Sequence, residues 1–213
     1  MAKAGARRSA GESNARSAET RQALVDAAID ALRDVGFAGA SARAIANRAG
    51  STQSQVFYHF GSVVDLLLAA LDAVSARRMK IYEPLLESAT SPSELLQTAR
   101  TVILSDLDSG DLKVLVEMVA GAQTVPGLAA QVAQRLAPWY AFAEAAVDKA
   151  SAGWPLRSLL PVGDIAHAVV AGVLGLELLA SLDEDHTRAT ALLDHAAGIA
   201  LLLSATPTPS RPT

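Results

Sequence analysis

The sequence predicts an all-α protein with a small N-terminal head of three helices and a larger C-terminal helical bundle, about nine to ten helices in total. Apolar residues recur along the chain at a helical period of about 3.6. Alanine and leucine dominate, and no run of alternating β-branched residues suggests a strand. With 51% hydrophobic residues among 213, the chain is long and apolar enough to bury a substantial core.

Four segments are expected from these patterns. Residues 1–16 are small, polar and basic without an apolar stretch, which is typical of a disordered basic arm rather than a signal peptide or anchor. Residues 17–62 form the head, and residues 63–204 form the body. Residues 205–213 alternate proline with small polar residues and are expected to be disordered.

The head begins with a helix over Ser17–Val35, which Gly36 ends. Two short helices follow at Ser41–Ala49 and Thr52–Phe57, and Gly50 allows the turn between them. Ser41 stands at an N-cap position, and Thr52 with Gln55 fits a capping box. The face of the first helix that packs inward is predicted from i, i+3, i+4, i+7 spacing: Val25, Ala28, Ile29 and Leu32.

Cap and proline signals divide the body. Ser62 and Asp65 form a capping pair that opens the fourth helix, and Ser91 with Glu94 does the same for the fifth. The six helices of the body are expected over residues 63–84, 92–107, 111–122, 126–152, 162–182 and 187–204. The very apolar helix 162–182 carries His167 and Glu177 in its interior, so we expect it to be buried rather than to span a membrane.

Charge is distributed unevenly along the chain. Residues 1–62 hold eight basic and five acidic side chains, for a net charge of +3, whereas the remainder holds ten basic and seventeen acidic, for a net charge of −7. A cationic head would meet a polyanion first, because local charge governs steering. Chance clustering would produce the same asymmetry, so charge alone does not decide the partner.

The segment from Ser41 to Phe60 reads SARAIANRAGSTQSQVFYHF. Together with the preceding helix and Leu66–Leu67 it resembles the tetracycline-repressor (TetR) family of bacterial regulators, whose helix-turn-helix ends in an aromatic-aromatic-His-Phe run. The resemblance covers residues 18 to 70. Beyond them only length and helix number match, since the sensor domains of the family diverge freely.

The residues of this segment suit a recognition helix, which presents short polar side chains to base edges from its N-terminal end. Glutamine pairs with adenine and arginine with guanine, so Arg43, Gln53 and Gln55 are the candidate base readers. The full DNA-binding set adds polar neighbours and phosphate contacts: Ser41, Arg43, Thr52, Gln53, Ser54, Gln55, Tyr58 and His59. Each also has a purely structural interpretation, as a solvated charge, a cap partner or a polar edge of the core.

Two positions depart from the family pattern. Phe57 stands where members usually carry a phosphate-contacting tyrosine, and Val63 where a lysine usually begins the fourth helix. Without these contacts, DNA binding either depends more on Arg43, Tyr58 and the basic arm or is weaker and less dependent on salt. The alternative function is therefore a helical ligand-binding or scaffold protein with a degenerate head that binds no DNA.

The resemblance implies a homodimer in which the last two long helices of each subunit form the interface. A seam of small residues would allow close approach, and packing inside one subunit is the alternative. The interface candidates are Ala168, Ala171, Gly172, Gly175, Leu176, Leu179, Leu192, Ile199 and Leu203. The candidates for a mainly apolar ligand pocket are Glu117, Met118, Gln123, Trp139, Tyr140 and Phe142.

The resulting expectation is a cytoplasmic, ligand-responsive DNA-binding transcriptional regulator. We expect a repressor that a small-molecule effector releases from a near-palindromic double-stranded operator, although the sequence leaves an activator open. An enzyme is not expected, because no nucleophile motif, phosphate loop or dinucleotide fingerprint occurs. The absence of cysteine excludes thiolate metal sites, and no cofactor, metal or membrane partner is predicted.

Overall fold

The structure is a computed structural model that describes residues 2–152, 157–182 and 187–204. Its helices are α1 (Ala2–Gly39), α2 (Ala42–Arg48), α3 (Gln53–Phe60), α4 (Val63–Ser88), α5 (Pro92–Ser109), α6 (Asp111–Ala122), α7 (Leu128–Ala150), α8 (Val162–Ala180) and α9 (Thr187–Ser204), with a 3-10 turn at Arg157–Leu159. Within those ranges there is no strand, which confirms the all-α prediction. The tail expected at residues 205–213 lies outside the described residues.

Helix α1 is longer than the sequence predicts. It begins at Ala2, so the segment expected to be a disordered arm, residues 1–16, is helical from its second residue. That segment is rich in alanine and arginine, which are strong helix formers, and extending an existing helix costs far less than starting one. Gly36 interrupts the helix as predicted, with a left-handed φ of 68°.

The predicted N-caps are found at three of four positions. Ser41 Oγ accepts the N–H of Ala44 at 3.2 Å, Ser91 Oγ accepts that of Glu94 at 3.2 Å, and Ser62 Oγ accepts that of Asp65 at 3.0 Å. The capping box predicted at Thr52 does not form. Instead, the Thr52 and Ser54 hydroxyls lie 2.9 Å apart, so the two short polar side chains satisfy each other and leave the helix end open.

Helix α4 continues through Pro84 to Ser88, whereas the sequence predicts its end at that proline. A proline inside a helix costs about 3 kcal/mol because it removes one hydrogen bond and crowds the preceding turn. Here the last turn is held by Lys149 of α7, whose ammonium donates to the carbonyl oxygens of Leu86 at 2.5 Å and Glu87 at 3.0 Å. A cation at a helix C-terminus stabilises the exposed carbonyl groups, which offsets part of the loss at Pro84.

The chain divides into two compact units. The first contains residues 1–74 and 117–132, so it reaches past residue 62 to include the first half of α4 and the second half of α6. The second contains residues 75–116 and 133–213. The core of the first unit is formed by fully buried aliphatic side chains: Leu24, Leu32, Ile45, Val56, Leu66 and Leu71.

Candidate functional site

Two short helices, α2 and α3, form the candidate interface in the first unit. Gly50, with φ +60°, turns the chain between them, and the N–H of Ser51 donates to the carbonyl of Ala46 at 2.9 Å. Ile45 of α2 and Val56 of α3 are completely buried, so each helix is anchored by one aliphatic side chain. This anchoring leaves the N-terminal end of α3 facing solvent.

The residues predicted to contact DNA lie together on this exposed part of the head. Arg43 and the run Thr52–Gln55 are exposed, as is Ser41, whose hydroxyl also caps α2. Tyr58 is 78% exposed and His59 is half-buried, with their rings 5.0 Å apart in an edge-to-face arrangement. The structure thus presents a polar surface with one projecting phenol, which suits contact with a polar partner.

The arginines of the head differ in their availability. Arg48 pairs with Asp34 of α1 at 2.6 Å, and the guanidinium of Arg21 lies 4.9 Å from the centre of the Phe60 ring. Among the side chains that the structure describes, none pairs with Arg43. The sequence places Arg43 but not Arg48 among the candidate base readers, and the tertiary ion pair of Arg48 with Asp34 adds a structural difference between the two.

Phe57 lies on α3, next to Tyr58, and is 51% exposed. A half-exposed aromatic ring at a polar surface costs hydration free energy unless a partner covers it. From the sequence alone, Phe57 is notable only because it replaces a tyrosine that usually contacts phosphate. Its exposure shows instead that an apolar contact is available beside Tyr58.

The second unit contains a cavity of about 240 Å³ between α4, α5, α6, α7 and α8. Its walls are mostly leucine, valine and alanine, and the side chains with polar atoms are Tyr82, Thr98, Asp106 and Trp139. The indole N–H of Trp139 donates to the buried hydroxyl of Ser75 at 2.9 Å, which fixes the ring in the wall. A mainly apolar cavity with a few placed polar groups is the usual form of a small-molecule site.

The residues proposed from sequence for the ligand pocket separate into two groups. Trp139 and Phe142 line the cavity, while Tyr140 stacks on His167 with the ring centres 5.2 Å apart. The remaining three belong to the first unit: Glu117 accepts the N–H of Phe37 at 2.8 Å, Met118 is completely buried, and Gln123 is exposed. None of these three is part of the cavity wall.

Asp106 is a residue of the cavity wall that the sequence reasoning missed. It is 2% exposed, and its Oδ1 lies 3.0 Å from Nη1 of Arg78. Arg78 also pairs with Asp111 and donates to the Ser109 hydroxyl at 2.6 Å. Burial, opposed by the charge of Arg78 and reinforced by that of Asp111, raises the pKa of Asp106 to about 7.

A sequence signal for Asp106 exists. It stands at helical spacing from the apolar residues Leu95, Ala99 and Val102 of α5, so an acidic side chain falls on the apolar stripe of an amphipathic helix. Such a group requires a partner, because burying an unpaired charge is costly. Arg78 of α4 provides that partner.

Helix α8 was expected to be buried, and that expectation is wrong. Only 11% of its apolar stretch is buried within the protein. By length and composition alone, the helix is long and apolar enough to cross a membrane. Of the predicted interface residues, Ala168, Ala171, Gly172, Leu179 and Leu192 are exposed, and Gly175 and Leu176 are half-buried. The side chains of Ile199 and Leu203 lie outside the described residues.

Comparison with known proteins identifies related sequences and folds. Residues 24–70 match the family model of bacterial regulatory proteins of the tetR family. An uncharacterised HTH-type transcriptional regulator of Mycobacterium tuberculosis is 33% identical over 107 residues, which cover 50% of this chain and 54% of the relative. The matched stretch thus spans about half the length of that curated relative.

Solved structures match most of the chain. A TetR-family transcriptional regulator from Rhodococcus sp. has a TM-score of 0.72 at 22% identity, covering 86% of this chain and 99% of the other. A multidrug binding protein solved with imidazole has a TM-score of 0.57 at 24% identity, covering 90% and 98%. At these identities the two structures show a shared fold.

Proposed function

Because this chain belongs to the tetR family of bacterial regulatory proteins through its residues 24–70, we propose that it is a ligand-responsive transcriptional repressor that binds a near-palindromic operator. The observation that carries the proposal is the exposed polar start of α3 together with an exposed Arg43 that pairs with no described side chain. A recognition helix of this kind enters the major groove with its N-terminal residues toward the bases.

The exposed residues divide by chemistry into two sets. Gln53 and Gln55 carry the donor and acceptor that read adenine, and Arg43 carries the paired donors that read guanine. The hydroxyls of Ser41 and Tyr58 and the imidazole of His59 contact phosphates and set the register. We propose that the exposed ring of Phe57 adds an apolar contact, to a thymine methyl or a sugar, where a tyrosine would have bound phosphate.

The exposed apolar face of α8 supports a homodimer. Outside the adjacent backbone of α8, no described residue has an atom within 4 Å of the position that a Cβ would occupy on Gly172 or Gly175, so the backbone of a second copy can approach closely. Leu179 is 63% and Leu192 60% exposed, and both would be covered in such an interface. A two-fold pair of heads matches the symmetry of a palindromic operator.

The cavity supports a small-molecule effector, and two helices connect it with the head along the chain. Helix α6 carries Leu112 and Leu115 in the cavity wall and Glu117 at Phe37. Helix α4 carries Tyr82 and Leu85 in the wall and Leu66 in the core of the first unit. A ligand that binds one arrangement of these helices more tightly would shift the spacing of the two heads and release the DNA.

The test of DNA binding is selection of bound sequences from a random double-stranded library, followed by fluorescence anisotropy on the selected site. We expect a near-palindromic sequence and an affinity that falls steeply as salt rises from 50 to about 200 mM. If no sequence is enriched and DNA is not retained even at low salt, the helical scaffold with a degenerate head becomes the better assignment. Recovery of a site that lacks two-fold symmetry would contradict the dimeric part of the proposal.

A further inference from the structure

The cavity in the second unit offers a bound molecule almost only hydrocarbon. Within the part of the chain that the structure describes, Asp106 is the only wall residue with a carboxylate or a cationic group. The three aromatic wall residues contact one another, with Tyr82 5.9 Å from Trp139 and 5.2 Å from Phe142 between ring centres. Apart from these three rings, the wall is aliphatic except for Thr98 and Asp106.

The charge of Asp106 is already balanced by neighbours behind the wall. Arg78, 8% exposed and not part of the wall, lies 3.0 Å from its carboxylate and is shared with Asp111. Arg77 adds a second cation on Asp111, which leaves two arginines facing two carboxylates. An ammonium ion in the cavity would gain little from Asp106, whose charge Arg78 already balances, a carboxylate would be repelled by Asp106, and both would lose their hydration.

Asp106 nevertheless retains hydrogen-bonding capacity. Its Oδ1 lies 3.0 Å from Arg78 and is closed off from solvent, whereas Oδ2 is not closed off in this way and accepts a hydrogen bond from no described residue. A buried polar atom without a hydrogen bond is costly, so a ligand that provides one is favoured. Because burial raises the pKa of Asp106 to about 7, this carboxyl group both accepts from a hydroxyl and donates to a carbonyl near neutral pH.

We propose that the cavity binds a small, uncharged, mainly aliphatic molecule whose single hydroxyl or carbonyl group hydrogen-bonds to Asp106. The cavity volume of about 240 Å³ lies below the roughly 300–1,000 Å³ usual for ligand pockets, so the ligand is small. This inference deepens the effector part of the proposed function. It can be tested on the protein without DNA, and its failure is therefore distinguishable from a failure of operator binding.

The test uses four probes of equal chain length with the full-length protein: 1-octanol, octan-2-one, octylammonium and octanoate. Isothermal titration calorimetry and the shift in melting temperature report binding. We expect the two neutral probes to bind at least about tenfold more tightly than either charged probe, which corresponds to one buried hydrogen bond gained and one desolvated charge avoided. Equal or tighter binding of octylammonium or octanoate would overturn the proposal.

Variants separate the hydrogen bond from the cavity itself. Asp106→Leu should weaken 1-octanol about tenfold, whereas Asp106→Asn, which keeps a donor and an acceptor, should stay within a few-fold of the parent protein. Asp108→Asn, an exposed carboxylate on the same helix, is the matched control and should change nothing. Unchanged 1-octanol affinity in Asp106→Leu would contradict the role of Asp106.

Ala146→Phe keeps Asp106 and Arg78 and fills the cavity from α7. It should abolish binding of both neutral probes while leaving the fold intact by circular dichroism. Because this variant does not disturb the buried ion pairs, it shows whether the probes bind in the cavity even if Asp106→Leu unfolds. If Ala146→Phe binds 1-octanol as the parent does, or if the parent binds neither neutral probe, the assignment is wrong.

Discussion

Gly121 of α6 lies directly against the ring of Phe37 at the end of α1. A Cβ atom placed on Gly121 would come within 2.2 Å of the ring, far inside any real contact. Four residues earlier on α6, the carboxylate of Glu117 accepts the backbone N–H of Phe37 at 2.8 Å. One turn of α6 therefore holds Phe37 by both its backbone and its side chain.

Gly121→Ala should destabilise the first unit, because the added methyl group displaces the Phe37 ring from a packed position. Overpacking of this kind costs about 1–3 kcal/mol. Thermal or urea denaturation measures the loss. The control is Gly163→Ala, where the added Cβ meets its nearest atom at an ordinary 3.5 Å and the stability should not fall. Equal stability of the two variants would show that Phe37 moves freely.

Glu117→Ala should also destabilise the protein, since it leaves the half-buried N–H of Phe37 without an acceptor. We expect a loss of about 1–3 kcal/mol in the free energy of unfolding, and a smaller loss for Glu117→Gln, which keeps an acceptor oxygen. Urea denaturation of both variants beside Glu19→Ala, an exposed acid on α1, makes the comparison. The interpretation fails if Glu117→Ala and Glu19→Ala behave alike.

Arg43→Ala should reduce operator affinity by roughly ten- to a hundredfold, the effect of one base-reading arginine, and should relax specificity at one base pair. Helix content and mass should stay the same. Arg48→Ala is the matched control on the same helix, because Arg48 is already paired with Asp34. Anisotropy on the selected site measures both, and equal losses would assign Arg43 a general electrostatic role instead.

Leu179→Asp should convert the proposed dimer into a monomer, because it places a charge in the centre of the apolar α8 face. Size-exclusion chromatography with light scattering gives the mass directly. Leu159→Asp is the control, since Leu159 is 76% exposed in the 3-10 turn and lies outside the predicted seam. A Leu179→Asp variant that keeps the dimer mass would place the interface elsewhere.

Asp106 should make the free energy of unfolding decrease as pH rises. Its pKa is about 7 in the folded protein and ordinarily 3.8, so between these values the folded state binds more protons than the unfolded state. Stability is therefore lost as pH rises from about 4 to 7, despite the opposing charge of Arg78. Asp106→Asn should remove this slope, whereas Asp108→Asn should keep it. Urea denaturation between pH 5 and 8 would contradict the assignment if all three proteins show one slope.

Local signals predicted most of the helix boundaries. Ser41, Ser62 and Ser91 cap α2, α4 and α5 as expected. Gly36 in α1 and Gly110 after α5 adopt a left-handed φ where the helical conformation breaks. These features depend on atoms within four residues of one another, so the local sequence contains the necessary information. The local sequence does not show that the helix continues past Pro84, where Lys149, more than sixty residues away, contacts the carbonyl groups of the last turn.

The exposed face of the candidate interface could also be predicted from local sequence. The polar run Thr52–Gln55 and the buried Val56 lie on one short helix, so their separation into an exposed and a buried face follows from helical periodicity. The residues that line the cavity could not be predicted from local sequence. Its wall combines five helices, and the predicted pocket residues Glu117 and Gln123 belong to the other unit.

The amino-acid order by itself determined the all-helical architecture, the caps and breaks that delimit the helices, and the polar face of α3, because each arises from hydrogen bonds or periodicity within a few turns of chain. Only the tertiary structure decided that Glu117 holds Phe37, that Arg48 is paired with Asp34 while no described side chain pairs with Arg43, and that Asp106 faces a cavity with Arg78 behind it. Those three relationships join side chains from different helices, and their free energy depends on burial and on partner distance, which local sequence does not encode.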